Sequence, residues 1–195
     1  MSDDISPADG ARHDQIFDEG SSLIEGEVFQ DGSGGPSGRP GMFARRKLHK
    51  AIERFEGALE INPKGWQSMW FLGKIHQRLE SEAESLFWFK KAMALAPDEP
   101  DVARETGLAA FEAGKTELAL QCCQAALDAR PDDPGLMANL ALAHLLGGDL
   151  AEAEGLLSTA LELAPQDPVS GHLSEIIREI AEGTRPQPAS IHDIT

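Results

Sequence analysis

Prolines that recur every 34 residues constrain the fold of this chain more than any other feature. They form two series: Pro63, Pro97, Pro131 and Pro165, and then Pro100, Pro134 and Pro168. The first proline of each pair ends a helix, because it has no N–H and its ring clashes with the preceding turn. The second proline suits the first position of the next helix, and an acidic residue immediately before it supplies a helix cap. The spacing therefore predicts a chain of repeated helical units.

Small and apolar residues repeat in step with the prolines. When the proline that ends each unit is numbered position 32, these residues fall at positions 4, 7, 8, 11, 20, 24 and 27. Spacings of three and four residues place each set on one helical face. Small residues at positions 8, 20 and 27 let the two helices of a unit approach closely. Turns are expected between the helices at Gly114 and Gly147-Gly148, and caps of the second helices at Ser81 and Asp149.

This period and its pattern of small and large residues resemble the tetratricopeptide repeat family over residues 66–167. The resemblance implies an all-α fold, a right-handed α–α superhelical solenoid of helix–turn–helix units whose first helices line a concave face. Three complete units are expected, at 66–99, 100–133 and 134–167. The sequence departs from the family where position 4 lacks its frequent aromatic residue and where His76 and His144 occupy position 11.

Half of another unit precedes Pro63, with Ala51, Phe55 and Ala58 at positions 20, 24 and 27. Its first helix is predicted within 13–28, so that 13–65 is a degenerate first repeat split by a Gly-rich loop at 30–41. The glycines and prolines of that segment predict a flexible loop. The alternative is that 13–28 form an unrelated N-terminal helix.

Both ends of the chain lack the repeat pattern. Residues 168–183 are predicted to form a helix that caps the last unit, because Leu173, Ile176, Ile177 and Ile180 share one side of it. Residues 1–12 and 184–195 show no helical periodicity, so we expect a flexible N-terminal segment and a flexible tail.

Charge and composition limit the classes of partner and compartment. The net charge of −16 opposes binding to nucleic acid phosphates and to anionic membranes. Homo-oligomerisation is compatible with the sequence but not indicated by it. The adjacent Cys122 and Cys123 suit neither a relaxed disulfide nor a shared metal, which favours reduced thiols. The sequence also shows no secretory signal and no apolar run of about 20 residues. Together with the reduced thiols, this leads us to expect a cytoplasmic protein.

No constellation for catalysis, metal binding or cofactor binding emerges from the sequence. The six histidines show no ligand spacing such as HxxxH, and His76 and His144 are expected to pack against neighbouring helices. The Gly-rich segment lacks the GxxxxGK[ST] pattern of a phosphate-binding loop. We therefore expect neither enzymatic activity nor a cofactor.

The resemblance implies that ligands contact positions near 2, 5, 6, 9, 12 and 13 of each first helix. The candidate groove residues are Trp70, Lys74, Gln77, Arg78, Arg104, Leu108, Phe111, Asn139, Leu142 and Leu145, with Ala138 and Leu146 beside the last three. Three cations on one predicted face of an acidic chain favour a peptide with an acidic residue and apolar anchors. The alternative is that Trp70 packs inside its unit and the cations pair with nearby glutamates.

Two further features of the sequence concern partner binding. The carboxylate clamp by which some members of the family bind heat-shock chaperones is not expected, because Asp101 and Glu105 stand where it needs other residues. A basic run, Arg45-Arg46-Lys47-Leu48-His49-Lys50 with Arg54 one turn later, is expected to meet the acidic stretch at 14–31 or an acidic partner. The alternative is a solvated helix face.

The sequence as a whole predicts an adaptor or scaffold that binds a protein or peptide partner in the groove. Two other roles remain open at this point. One is a chaperone for a secreted or assembly-bound substrate, and the other is a regulatory subunit of an enzyme complex. A fold alone does not separate these binding roles.

Overall fold

The computed structural model describes residues 6–28 and 38–194 of the chain. This part contains nine α-helices, one short 3₁₀ helix and no strand, which confirms the all-α fold class. The α-helices are α1 (Pro7–Ile24), α2 (Met42–Ile61), α3 (Trp66–Arg78), α4 (Glu82–Leu95), α5 (Pro100–Glu112), α6 (Thr116–Ala129), α7 (Pro134–Gly147), α8 (Leu150–Leu163) and α9 (Pro168–Ala181). The 3₁₀ helix is Ile191–Asp193. Most of the Gly-rich loop predicted at 30–41 lies outside the described residues.

Helices begin where the second proline series predicts. Pro100, Pro134 and Pro168 are the first residues of α5, α7 and α9. The carboxylate of Asp133 accepts hydrogen bonds from the first backbone N–H groups of α7, and Asp167 caps α9 in the same way. Glu99 makes no such side-chain bond at α5, so the expected acidic cap is formed at two of the three helices.

The chain forms two compact units, residues 1–95 and residues 96–195. In unit 1, α1 packs along α2 and α3 packs along α4. A Cβ built on Gly73 would lie 2.6 Å from the ring of Phe89, and one built on Gly20 would lie 3.1 Å from the ring of Phe55. These are the same contact, between positions 8 and 24, in two helix pairs. Helices α1 and α2 therefore approach each other through a glycine, as α3 and α4 do; that they are the two halves of a split repeat stays a prediction.

Aromatic rings fill the core of unit 1. The rings of Phe55 and Phe71 stack with centroids 5.0 Å apart, and Phe17 meets both of them edge-on. These three rings come from α2, α3 and α1, respectively. Helices α1 and α2 are thereby packed against the pair that follows them, by contacts of a geometry that aromatic rings prefer.

Unit 2 repeats the helix-pair arrangement, and α9 follows its last pair. A Cβ on Gly107 of α5 would lie 2.9 Å from Cys123 Sγ of α6, so this pair is also closely packed. Helix α9 packs on α8 and α7. An apolar cluster lies between α9 and these two helices. It contains Leu173, Ile176 and Ile177, which are the buried side chains of the predicted apolar stripe, and Ile180 lies partly buried beside them.

The structure differs from the sequence-based expectations at both ends. Helix α1 begins at Pro7 rather than near residue 13, because the Ser6 hydroxyl accepts a hydrogen bond from the Asp9 N–H and Pro7 fills the first position. Residues 184–194, expected to be a flexible tail, pack against unit 2, where Pro188 and Ile194 are buried. None of the helices in the described ranges is long and apolar enough to cross a membrane.

Candidate partner-binding faces

The first helices of successive pairs lie side by side within each unit. In unit 1, α1 and α3 meet through Phe17 and Phe71, with ring centroids 5.7 Å apart. In unit 2, α7 contacts both α5 and α9. We call the surface built by these helices the first-helix face of each unit. The ten candidate groove residues all belong to α3, α5 and α7.

Helix α3 in unit 1 carries a lysine over a tryptophan. The Nζ of Lys74 lies 5.8 Å from the centroid of the Trp70 ring, which favours a cation–π attraction. Trp70 itself is only 7% exposed and meets the ring of Phe71 edge-on. Its ring is therefore a packed platform beneath the ammonium group rather than an exposed anchor.

The other end of α3 is in contact with the chain that precedes α2. Arg78 Nη1 donates a 2.7 Å hydrogen bond to the carbonyl of Gly38, and Arg39 pairs with Glu80 at 2.9 Å. Pro40, between these residues and α2, is buried. The guanidinium of Arg78 is thus partly engaged by the chain itself, while Gln77 is half-buried next to it.

On helix α5 in unit 2, the candidate cation Arg104 forms ion pairs with two acidic side chains. Arg104 lies 3.3 Å from Asp101 and 3.0 Å from the buried carboxylate of Glu105. This pairing is the alternative that the sequence left open for the cations. Of the apolar candidates on this helix, Leu108 is half-buried, whereas Phe111 is only 2% exposed. Phe111 is therefore a packing residue, which corrects its placement on a ligand surface.

The end of the first-helix face of unit 2 is covered by the chain's own C-terminal segment. The side-chain amide of Gln187 donates a hydrogen bond to the backbone carbonyl of Leu145 in α7. His172 Nε2 of α9 lies 3.1 Å from the carbonyl of Ile194. The Ile194 side chain, 8% exposed, joins the apolar cluster that contains Leu145, with Leu142 at its edge. Asn139 is half-buried on the same helix.

The covering segment has an internal structure of its own. The Asp193 carboxylate accepts hydrogen bonds from the Ala189 and Ser190 N–H groups, which closes a capping box around the 3₁₀ helix. Arg185 Nη2 donates to the Asp193 carbonyl at 2.7 Å, and Nη1 pairs with Glu179 of α9 at 3.4 Å. These bonds hold the segment in one conformation and attach it to α9.

The family assignment follows from these repeated helix pairs together with a sequence comparison. The family model described as Tetratricopeptide repeat matches residues 43–100 and 104–168, more than half of the chain. The chain belongs to the tetratricopeptide repeat family. No curated protein matches the chain significantly in sequence.

Solved structures of tetratricopeptide proteins share the fold at low sequence identity. The crystal structure of MamA protein has a TM-score of 0.73 and 15% identity, covering 90% of this chain and 85% of that chain. YrrB, described as a TPR protein with an unusual peptide-binding site, has a TM-score of 0.65 and 18% identity, with 74% of each chain covered. The first TPR of Spaghetti (RPAP3) bound to HSP90 peptide SRMEEVD has a TM-score of 0.56 and 18% identity, covering 60% of this chain and 93% of that chain.

An exposed aromatic surface on α4 was not predicted from the sequence. Phe87, at tetratricopeptide position 22, is 51% exposed and meets Trp88 edge-on. The Nζ of Lys91 lies 4.6 Å from the centroid of the first ring and 4.9 Å from that of the second. Gln121 and Gly155 occupy the same position in the other two units. A comparison of that position across the units would have singled out Phe87.

The basic run opens α2, as its sequence suggested. Arg54 pairs with Glu19 of α1 at 3.0 Å, and these two residues line a shallow depression together with Lys50 and Asp18. At the start of the helix, Arg45 donates to the carbonyl of Pro40. One basic side chain of the run thus meets the acidic stretch of α1, and another fixes the entry of the chain into α2.

Titratable groups inside the units serve packing. Burial lowers the pKa of His76, His49 lowers it further, and Glu84 opposes them. Burial, with a smaller contribution from Cys122, raises the pKa of the Cys123 thiol to about 12. Within the described residues, no group of three or more histidine, cysteine or acidic side chains is arranged to hold a metal ion.

Proposed function

We propose that this protein is an adaptor or scaffold that holds a partner polypeptide against its first-helix faces. The observation that carries the proposal is the row of side chains on α3, where Lys74 lies over the Trp70 ring and Arg78 follows one turn later. Residues four apart lie on the same helical face. A row of cations on a packed aromatic platform suits an acidic polypeptide, although the chain as a whole carries −16.

Two properties of the face support a peptide as the ligand. The side chains of Lys74, Gln77 and Arg78 are half-buried, so contact with them would restrict few additional rotamers. Their donors are suited to carboxylate and carbonyl oxygens. Among the structural neighbours, YrrB and the first TPR of Spaghetti are described with peptides, which supports a peptide-sized ligand here.

The proposal is tested by finding the partner and then reversing the charges. Affinity purification with mass spectrometry identifies the partner, and its dissociation constant is measured for Lys74→Glu and Arg78→Glu. We expect each substitution to weaken binding by about 1–3 kcal/mol, because it replaces an attraction to a carboxylate by a repulsion. The double substitution Lys90→Glu and Lys115→Glu is the control, since Lys90 is exposed on α4 and Lys115 is exposed at the N-cap of α6.

The outcome also separates the possible roles. Unchanged affinity in the α3 variants, with weaker binding in the control, would contradict the proposal and move the site to another surface. A partner that stays unfolded in the complex would favour a chaperone, and a folded enzyme would favour a regulatory subunit. Because Trp70 is a packed platform, we expect Trp70→Ala to lower the melting temperature as well as the affinity.

A further inference from the structure

The C-terminal segment 184–194, here called the tail, is held on unit 2 by few contacts. Its buried residues are Pro188 and Ile194. The residues on either side of Pro188 are exposed, namely Pro186, Gln187 and Ala189. Thr184 and Arg185 bond to Glu179 near the end of α9. Beyond them, its direct bonds to the first helices are those of Gln187 to Leu145 and of His172 to Ile194. The ordering of the whole segment costs backbone entropy at every residue. Beyond Arg185 the docked state has few anchors, so the tail opens at a lower free energy than the packed helices do.

The surface under the tail, here called the tail site, has a defined chemistry. Its apolar part is the cluster of Leu145, Leu173 and Ile176, which receives the Ile194 side chain. Its polar parts are the carbonyl of Leu145, near the C-terminus of α7, and the ring of His172. The Leu145 carbonyl already accepts a hydrogen bond from the Gly148 N–H at 3.1 Å, and its second lone pair accepts the one from Gln187.

The contacts made by the tail define what else fits this site. A ligand must follow a path like that of the tail, which is irregular over residues 186–190 and turns through the 3₁₀ helix Ile191–Asp193 directly before Ile194. It needs a branched aliphatic side chain for the apolar cluster and a neutral amide donor several residues before it, as Gln187 precedes Ile194. A charge at the aliphatic position would be buried without a partner in that cluster, which is strongly unfavourable.

We propose that the tail is a displaceable occupant of a partner-binding site, and that the partner is a segment without α-helix that carries a branched aliphatic anchor and an upstream amide donor. This inference rests on the proposed function, since it assigns ligand binding to a first-helix face. It adds to that function the chemistry of the ligand that binds at α7 and α9. It also makes the tail a competitor of that ligand. Partner affinity is then set by the difference between partner docking and tail docking.

The experiment uses the full-length chain and a synthetic peptide with the sequence of residues 184–194, labelled with fluorescein. Ile194→Glu in the protein releases the tail, because a carboxylate cannot occupy the apolar cluster. Ala189→Glu is the matched control, since it adds the same charge to the tail at an exposed position. Hydrogen exchange of the tail amides reports docking, and fluorescence polarisation reports binding of the peptide.

We expect tail amides to be protected in the wild type and in Ala189→Glu but to exchange freely in Ile194→Glu. The peptide should bind Ile194→Glu at least about tenfold more tightly than the other two proteins, because its site is open there. A peptide that itself carries Ile194→Glu should not bind. Gln187→Ala removes only the bond to Leu145 and should give the same direction of change with a smaller amplitude. If Ile194→Glu does not fold, Gln187→Ala is used in its place.

Three results would overturn the inference. Equal peptide binding to the wild type and the released variant would mean that the tail does not compete for the site. A released tail with no peptide binding would mean that the surface accepts only its covalently attached tail. A tail that stays protected in Ile194→Glu would mean that Ile194 is not its anchor. The assay uses no partner and no residue of α3, so its failure is distinct from failure of the charge-reversal test.

Discussion

Gly73 in α3 packs directly against the ring of Phe89 in α4. A Cβ added to Gly73 would lie 2.6 Å from two carbons of that ring, closer than carbon atoms approach without displacement. Phe89 is 0% exposed, so its ring has no open space into which it could move. The close approach of the two helices in this pair therefore depends on the missing side chain.

We predict that Gly73→Ala destabilises the protein by about 1–3 kcal/mol, because overpacking displaces a buried ring. The matched control is Gly155→Ala, also inside a helix, where an added Cβ meets nothing within 4 Å. There alanine should stabilise by about 0.5–1 kcal/mol, since it has the higher helix propensity. Chemical denaturation of both variants measures the two effects. Equal shifts in the same direction would show that the ring yields to the added methyl group.

Stability at mildly acidic pH should depend on His76. Burial in unit 1 lowers its pKa, with His49 acting in the same direction and Glu84 against it. The unfolded chain therefore takes up a proton near pH 6.5 while the folded protein does not. The stability that this group provides is present above that pH and is lost as the pH falls through the lowered pKa.

We therefore predict that the melting temperature falls more between pH 7.5 and pH 5 in the wild type than in His76→Gln. Glutamine is neutral throughout that range, so it removes the titration while keeping a polar side chain at the position. His192→Gln is the control, because His192 is exposed. The same pH profile for wild type and His76→Gln would exclude His76 as the source of acid sensitivity.

A second titration is expected under alkaline conditions. Burial, assisted by Cys122, raises the pKa of the Cys123 thiol to about 12 in the fold, whereas the thiol of the unfolded chain ionises near pH 8.5. Stability from this group is full below the unfolded pKa and is lost as the pH rises toward 12. The loss should approach about 1.4 kcal/mol per pH unit above pH 9.

The measurement compares the free energy of unfolding of wild type and Cys123→Ala at pH 8 and at pH 10. The variant should be less stable at pH 8, because it loses buried contacts, but its stability should fall less between the two pH values. Lysine titration is common to both proteins and cancels in the difference. Parallel pH dependence would mean that the thiol ionises in the folded state near its usual pKa.

The helix boundaries were predictable because they depend on local stereochemistry. Pro100, Pro134 and Pro168 begin helices for reasons contained in each residue and its immediate neighbours. The same signal, Ser6 followed by Pro7, begins α1, but it stands outside the 34-residue series and was not used. The start of α1 was therefore available from the sequence although the prediction placed it later.

The covered end of unit 2 was not predictable in this way. Gln187 bonds to Leu145 across 42 positions of sequence, and Ile194 has no helical periodicity around it. Helical patterns report only one face of a regular element, so an irregular segment held by scattered side-chain contacts gives no signal. Phe111 shows the same limit, since its ligand-facing position came from the family resemblance while its burial depends on the neighbouring helices.

Alanine substitutions of two phenylalanines on α4 should destabilise the protein to very different extents. Phe89 is 0% exposed against Gly73, whereas Phe87 is 51% exposed with Lys91 over its ring. Phe89→Ala should cost about 3–5 kcal/mol, because it removes a buried ring and leaves a cavity. Phe87→Ala should cost less than about 1 kcal/mol, since an exposed cation–π contact contributes about 0.5–1 kcal/mol. Denaturation of the two variants under one set of conditions checks both values. A loss in Phe87→Ala as large as that in Phe89→Ala would show that the exposed ring is covered in solution, and sedimentation of the wild type would then establish whether a second copy covers it.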